Sequence, residues 1–154
     1  MKINSKDIVL VSIQLVLFIV YTFPVAWSLA FFSWFKTVGL VLAIIGCILL
    51  VLALLQLNKN LSPFPTPKDN SVLIQNGLYA WVRHPIYSGI IVLFVGYGIY
   101  HDSLFKLMIS IFLWVLFYFK TQYEELQLQR KFPEYKVYKN KVGRFFPNFD
   151  SLRK

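Results

Sequence analysis

What this chain most lacks is charge where a soluble protein would carry it. From Ile8 to Phe35 there is no Asp, Glu, Lys, Arg or His across 28 residues, and Thr37 to Leu57 forms a second such run of 21. Only 15% of the chain is charged and 57% is hydrophobic, against about 25% and 45–50% in an average soluble domain. The shortage comes in blocks, which excludes an ordinary water-facing fold and fits membrane spans. There is one cysteine, Cys47, so no intramolecular disulfide can form. Placed mid-run, it reads as a small buried apolar filler. Internal repeats and low-complexity tracts are also missing.

Spanning a hydrocarbon core of about 30 Å takes roughly 20 apolar residues, and both uncharged runs are long enough. Lys2 and Lys6 before the first run resemble the basic region of a signal peptide. The apolar stretch is too long for one and leads straight into a second span, so a retained helix is expected, bent or ended near Pro24. Pro85–Tyr100 and Leu104–Phe119 are 16 residues each, interrupted only by Lys106, and can pair as a short helical hairpin. The expected architecture is all-α: a single polytopic membrane bundle of about four spans, near 8–32, 37–57, 85–100 and 104–120. A tail, 121–154, carries an interfacial helix.

The net charge of +9 gathers outside the spans. Lys120, Arg130, Lys131, Lys136, Lys139, Lys141, Arg144, Arg153 and Lys154 outweigh the acids of the tail. Directly after a span, such a tail follows the positive-inside rule and implies no nucleic-acid partner. Lys2, Lys6, Lys59, Lys68 and Arg83 then put the N-terminus and the 58–84 loop on the same cytosolic side. Both termini are expected there, with turns at Ser33–Lys36 and His101–Ser103 outside. The membrane is expected to be a bacterial cell membrane, or the endoplasmic reticulum in a eukaryote.

Three polar stretches share that side: the loop Asn58–Asn76 with Pro63, Pro65 and Pro67, the segment Gly77–Tyr87, and the tail. Pro85 suits the first turn of a helix, where its missing N–H goes unneeded. His84, preceding it, is pushed out of the helical region into a cap position. A helix N-terminus at the interface offers free N–H groups and a positive dipole end to a carboxylate or phosphate. Tyr79, Trp81 and Tyr87 add ring faces that attract a cation. Taken alone, these features equally describe an aromatic belt with a basic topology anchor. In the tail, Glu124 and Glu125 follow the fourth span. Lys120, four residues before Glu124, can pair with it, or Glu124 can balance a bound cation or hold ribose hydroxyls. Leu126, Leu128, Phe132, Tyr135 and Tyr138 describe a partly amphipathic helix on the membrane, broken at Pro133.

Two blocks together resemble the isoprenylcysteine carboxyl methyltransferases and the related phospholipid N-methyltransferases. One is Leu73–Tyr87, with Gly77-Leu78-Tyr79 followed by Arg83-His84-Pro85-Ile86-Tyr87. The other is Glu124-Glu125 with Leu128, Phe132, Tyr135, Tyr138 and Pro147. The resemblance runs from about Ser71 to Pro147. It implies S-adenosylmethionine as cofactor, in a cytosolic pocket capped by the tail, with a lipophilic or lipidated substrate arriving from the bilayer. It implies cofactor contacts at Ser71, Val72, Leu73, Ile74, Tyr79, His84, Pro85, Ile86, Tyr87 and Glu124. Two positions depart from the family pattern: Pro133 stands where a glycine is usual. Lys120 stands where prenylcysteine methyltransferases carry a substrate-binding arginine, keeping the charge without the bidentate fork. Methyl transfer to the carboxylate of a prenylcysteine-like or other amphiphilic acid is expected, with Lys120 or Arg83 steering the anionic head. For an amine acceptor, Glu125 or Glu124 would be the base. A non-catalytic lipid- or partner-binding protein is the reading from another class.

Overall fold

The computed structural model describes residues 3–25, 27–30 and 32–148. The charges at Lys2, Asp150, Arg153 and Lys154, and the side chain of Lys59, lie outside the described residues.

Among the described residues the secondary structure is helical. The helices are α1 (Ser5–Tyr21), α2 (Ser33–Leu57), α3 (Pro85–Tyr100), α4 (Leu104–Lys131) and α5 (Tyr135–Lys141), with short 3-10 turns at Asn58–Asn60 and Gly77–Ala80. By length and apolar composition α2 and α4 can cross a bilayer, whereas α1 and α3 have 17 and 16 residues. The first helix is shorter than the run 8–32 that set the expectation. Pro24 has no N–H and restricts Phe23 before it, so the helix closes at Tyr21 on Thr22. The outer turn expected at Ser33–Lys36 is instead the first turn of α2. The chain changes direction earlier, where Ser28 donates to Asp102 Oδ2 at 2.6 Å and Leu104 N–H to Trp27 O at 2.8 Å.

Small residues decide how α2 meets α3. A Cβ built at Gly39 would lie 2.8 Å from Gly96 O, and one at Gly89 would lie 2.8 Å from Leu50 N. Nothing larger than hydrogen fits at these crossings, so the two backbones touch. In lipid, where apolar burial gives no driving force, such close backbone approach is how helices hold together. Only Gly39, Ala43, Gly46 and Ala53 of α2 are buried. Its Val38, Leu40, Val41, Ile44, Ile45 and Ile48 face outward, as does Cys47, which is exposed rather than a core filler. An exterior this apolar far exceeds the isolated patches of a soluble monomer and is what acyl chains solvate. Inside, Tyr21, Ile90, Ile109, Leu113, Phe117 and Phe145 form the core, with the Tyr21 hydroxyl donating to Phe94 O at 2.5 Å.

The fourth helix does not stop at 120 but continues to Lys131. Glu124 and Glu125 therefore sit on its rigid extension, beyond the uncharged stretch. Helix α5 follows a break at 132–134, and Tyr135 and Tyr138 are buried in the protein rather than laid on a lipid surface.

Candidate active site

The 58–84 loop, the start of α3 and the extension of α4 close around one cavity of about 350 Å³, within the range of small-molecule sites. Three anchors shape it. Asp7, fully buried at the start of α1, accepts from Thr66 N–H at 3.2 Å and Thr66 Oγ at 2.7 Å, and from Asn4 N–H at 2.9 Å. Lys131 at the end of α4 donates to Asp69 O and Ser71 Oγ, both at 2.8 Å, and also to Lys68 O. Gly77 adopts φ +59°, and a Cβ there would strike the Gln56 side chain, whose oxygen accepts from Leu78 N–H at 2.9 Å. The loop is thus pinned at residues 66, 68–71 and 77–78.

Of the residues expected to touch a cofactor, Ser71, Val72, Leu73, Ile74, Tyr79, His84, Ile86, Tyr87 and Glu124 line the cavity, and Lys120 lines it too. Pro85 is not among its lining residues: it occupies the first position of α3, with His84 at φ −126° before it. Trp81 is exposed and lies outside the cavity lining.

The adjacent glutamates have opposite environments. Glu124 Oε2 accepts from the Tyr87 hydroxyl at 3.1 Å and lies 3.9 Å from His84 Nδ1. Burial raises its carboxyl above the ordinary 4.5, against the pull of His84, Lys120 and Tyr87. Glu125 points the other way and is sealed. It holds Arg83 at 3.0 Å, His84 Nε2 at 3.3 Å, Lys139 at 2.9 Å and Arg144 at 3.3 Å. Burial opposes its ionisation, but hydrogen bonds from His84 and Lys139 and the Arg83 charge outweigh it, holding the carboxyl far below the usual range. Glu125 does not line the cavity. Arg83 lines it, yet its guanidinium is tied to Glu125 and to the carbonyls of Lys139 and Val142. The expected roles of Glu125 as base and Arg83 as steering charge thus meet a geometry in which the two bind each other and fix the tail. Arg83 N–H and His84 N–H also donate to Gly143 O and Arg144 O, at 2.8 and 3.1 Å.

Lys120 is 1% exposed. It donates to Gln14 Oε1 at 2.6 Å and Pro63 O at 3.1 Å, over the Tyr87 ring at 5.4 Å. The expected pairing with Glu124 is absent from the ion pairs among the described residues. Sequence reasoning missed Gln14, Asn60, Pro63, Leu128, Phe132, Tyr135 and Tyr138 as cavity residues. Gln14 left a signal as an amide inside an uncharged run, and Leu128, Phe132, Tyr135 and Tyr138 left one in the second block of the resemblance. Tyr138 donates to Tyr79 O at 2.5 Å, whereas the buried hydroxyl of Tyr135 has no partner among the described residues. An unpaired buried donor costs stability unless something fills it.

Residues 34–135 match the model of the phospholipid methyltransferase family. The protein-S-isoprenylcysteine O-methyltransferase of Saccharomyces cerevisiae is 34% identical over 111 residues, 65% of this chain and 46% of that protein. A probable protein-S-isoprenylcysteine O-methyltransferase of Oryza sativa subsp. japonica is 33% identical over 119 residues, covering 74% and 62%. The solved eukaryotic intramembrane Ras methyltransferase, isoprenylcysteine carboxyl methyltransferase, superposes with a TM-score of 0.68 at 26% identity, covering 96% of this chain and 54% of that one. The chain therefore spans about half to three-fifths of the length of these proteins. They are eukaryotic, and nothing in them supports a bacterial membrane.

Proposed function

Since this chain belongs to the phospholipid methyltransferase family, we propose that it is an integral membrane enzyme that methylates the carboxylate of a lipophilic acid from S-adenosylmethionine. The proposal includes four membrane-embedded helices and both termini in the cytosol, supported by the basic residues flanking the cavity side.

The cavity fits the cofactor's chemistry. His84 and the first turn of α3, at Ile86 and Tyr87, suit its carboxylate. Tyr79 and Tyr87 offer ring faces to its sulfonium. Glu124 suits a cationic or hydroxylated part, and the orphan Tyr135 hydroxyl supplies one more donor. Bound there, S-adenosylmethionine would supply an electrophilic methyl group. The chain's own contribution is placement and exclusion of water, which can account for about 7–11 kcal/mol of a barrier. A carboxylate acceptor needs no base, and none is offered in reach but Glu124.

The observation that carries the acceptor assignment is Lys120, a buried ammonium whose bonded partners in the cavity wall are neutral. A charge so placed favours an anionic head, whose apolar tail can stay in lipid. Methylation of a phospholipid amine is the second reading, favoured only by the raised carboxyl of Glu124, which could accept a proton. The cofactor half is tested by calorimetry in detergent. His84→Ala and Glu124→Gln should each weaken S-adenosylmethionine binding by about 1.5–3 kcal/mol, the range for a lost charged hydrogen bond. No binding by the unmodified protein would reject the enzyme reading.

A further inference from the structure

Gln14 lies on α1, outside the half of the chain that carries the motifs, yet it lines the cavity. It stands inside a run of 28 uncharged residues, where an amide is costly unless it is used. Its oxygen takes the shorter of the two hydrogen bonds from Lys120, at 2.6 Å against 3.1 Å to Pro63 O. An ammonium has three donors, so these two bonds aim Lys120 and leave one N–H over. The nearby carboxylates are engaged elsewhere. Glu124 Oε2 takes the Tyr87 hydroxyl, and both oxygens of Asp7 are held by Thr66, with Asn4 sharing one of them. Lys120 is thus hydrogen-bonded by neutral oxygens, which fix its position, while the Glu124 and Asp7 carboxylates act on its charge without bonding it. Glutamate has the same length as glutamine and would make the same bond while neutralising the lysine.

We propose that Gln14 is a positioning residue that makes Lys120 an anion receptor, so that the neutrality of position 14 sets the preference for a negatively charged acceptor head. The inference rests on the anionic-acceptor reading above and adds to it the residue that maintains the charge. A structural role alone, satisfying a buried lysine, makes the opposite forecast for Gln14→Glu, which should then match or improve on the native pairing.

The test uses full-length protein in lipid nanodiscs and compares unmodified protein, Gln14→Glu and Gln14→Met. Binding of an S-prenylated N-acetylcysteine and of its neutral methyl ester is read by displacement, turnover of the acid by steady-state kinetics, and folding by thermal unfolding and S-adenosylmethionine affinity. Gln14→Glu should keep its melting temperature, its cofactor affinity and kcat while KM for the acid rises at least about tenfold, the equivalent of one charged hydrogen bond. Its preference for acid over ester should vanish. Gln14→Met, whose thioether accepts only weakly from Lys120, should also raise KM, with a lower melting temperature, and decides the matter if the glutamate variant fails to bind cofactor. Unchanged KM and acid preference in Gln14→Glu, or in Gln14→Met in that event, overturns the role of Gln14. Failure of the unmodified protein to prefer acid over ester instead removes the anionic-acceptor reading, and the role with it.

Discussion

At the scale of single residues, the lesson lies in two neighbours. Glu124 and Glu125 look alike in the sequence, and the burial of each alone would raise both carboxyls. Three cations and an imidazole surround Glu125 and reverse that, whereas Glu124 faces the cavity, with Tyr87 its one bonded partner among the described residues and His84 nearby. A cation bound beside Glu124 should lower its raised carboxyl, so binding releases a proton in a window that ends at that raised value. Cofactor affinity should therefore increase with pH through this window and level off above it. Calorimetry in buffers of different ionisation heat checks the sign, and Glu124→Gln should flatten the profile. Lys120 gives a separate handle. Lys120→Ala should raise KM for an anionic acceptor about tenfold or more, with cofactor affinity nearly unchanged, whereas equal loss of both would assign Lys120 to the cofactor. The cavity role of Ser71–Ile74, Tyr79, His84, Tyr87 and Glu124 was legible because they fall in contiguous motifs. The inward direction of Glu125 was not, because it depends on Lys139 and Arg144 arriving from α5 and the segment after it.

At the scale of elements, α4 does two jobs, one on each side of residue 120. Its uncharged part reads as a span ending near 120, but the helix runs on to Lys131 because Lys120–Lys131 has no glycine or proline to stop it. The extension carries Glu124 into the cavity and Glu125 into the tail's anchor. The break at Pro133 was legible from the ring chemistry of proline, while the burial of α5 was not. Breaking a buried ion cluster by removing one partner costs about 3–5 kcal/mol. Glu125→Gln should accordingly loosen 132–148, seen as faster limited proteolysis there and a lower melting temperature. The depressed carboxyl of Glu125 gives stability that is complete above its unfolded range near 4.5 and lost as pH falls toward its folded value. A tail whose protease resistance survives Glu125→Gln would show that the backbone bonds from Arg83 and His84 suffice alone.

At the scale of the molecule, the pattern of missing charge announced a helical membrane bundle, and the apolar exterior of α2 agrees with it. What composition hid is the close approach of α2 and α3, which depends on glycines seven residues apart in each helix lining up across the pair. The direction of α1 was equally hidden, although it brings Asp7 and Gln14 to the cavity. The proposed orientation puts that cavity in the cytosol. Reporter fusions at residue 2 and residue 154 should both read cytosolic, and opposite sides would separate the polar stretches from one another. Methyl transfer itself is the most direct measurement. Purified protein in nanodiscs, given methyl-labelled S-adenosylmethionine with a prenylcysteine acid and phosphatidylethanolamine in competition, should place label in the acid as a base-labile methyl ester and lose that activity in Glu124→Gln. Label appearing instead as base-stable N-methyl groups on the phospholipid, or in neither, would contradict the account.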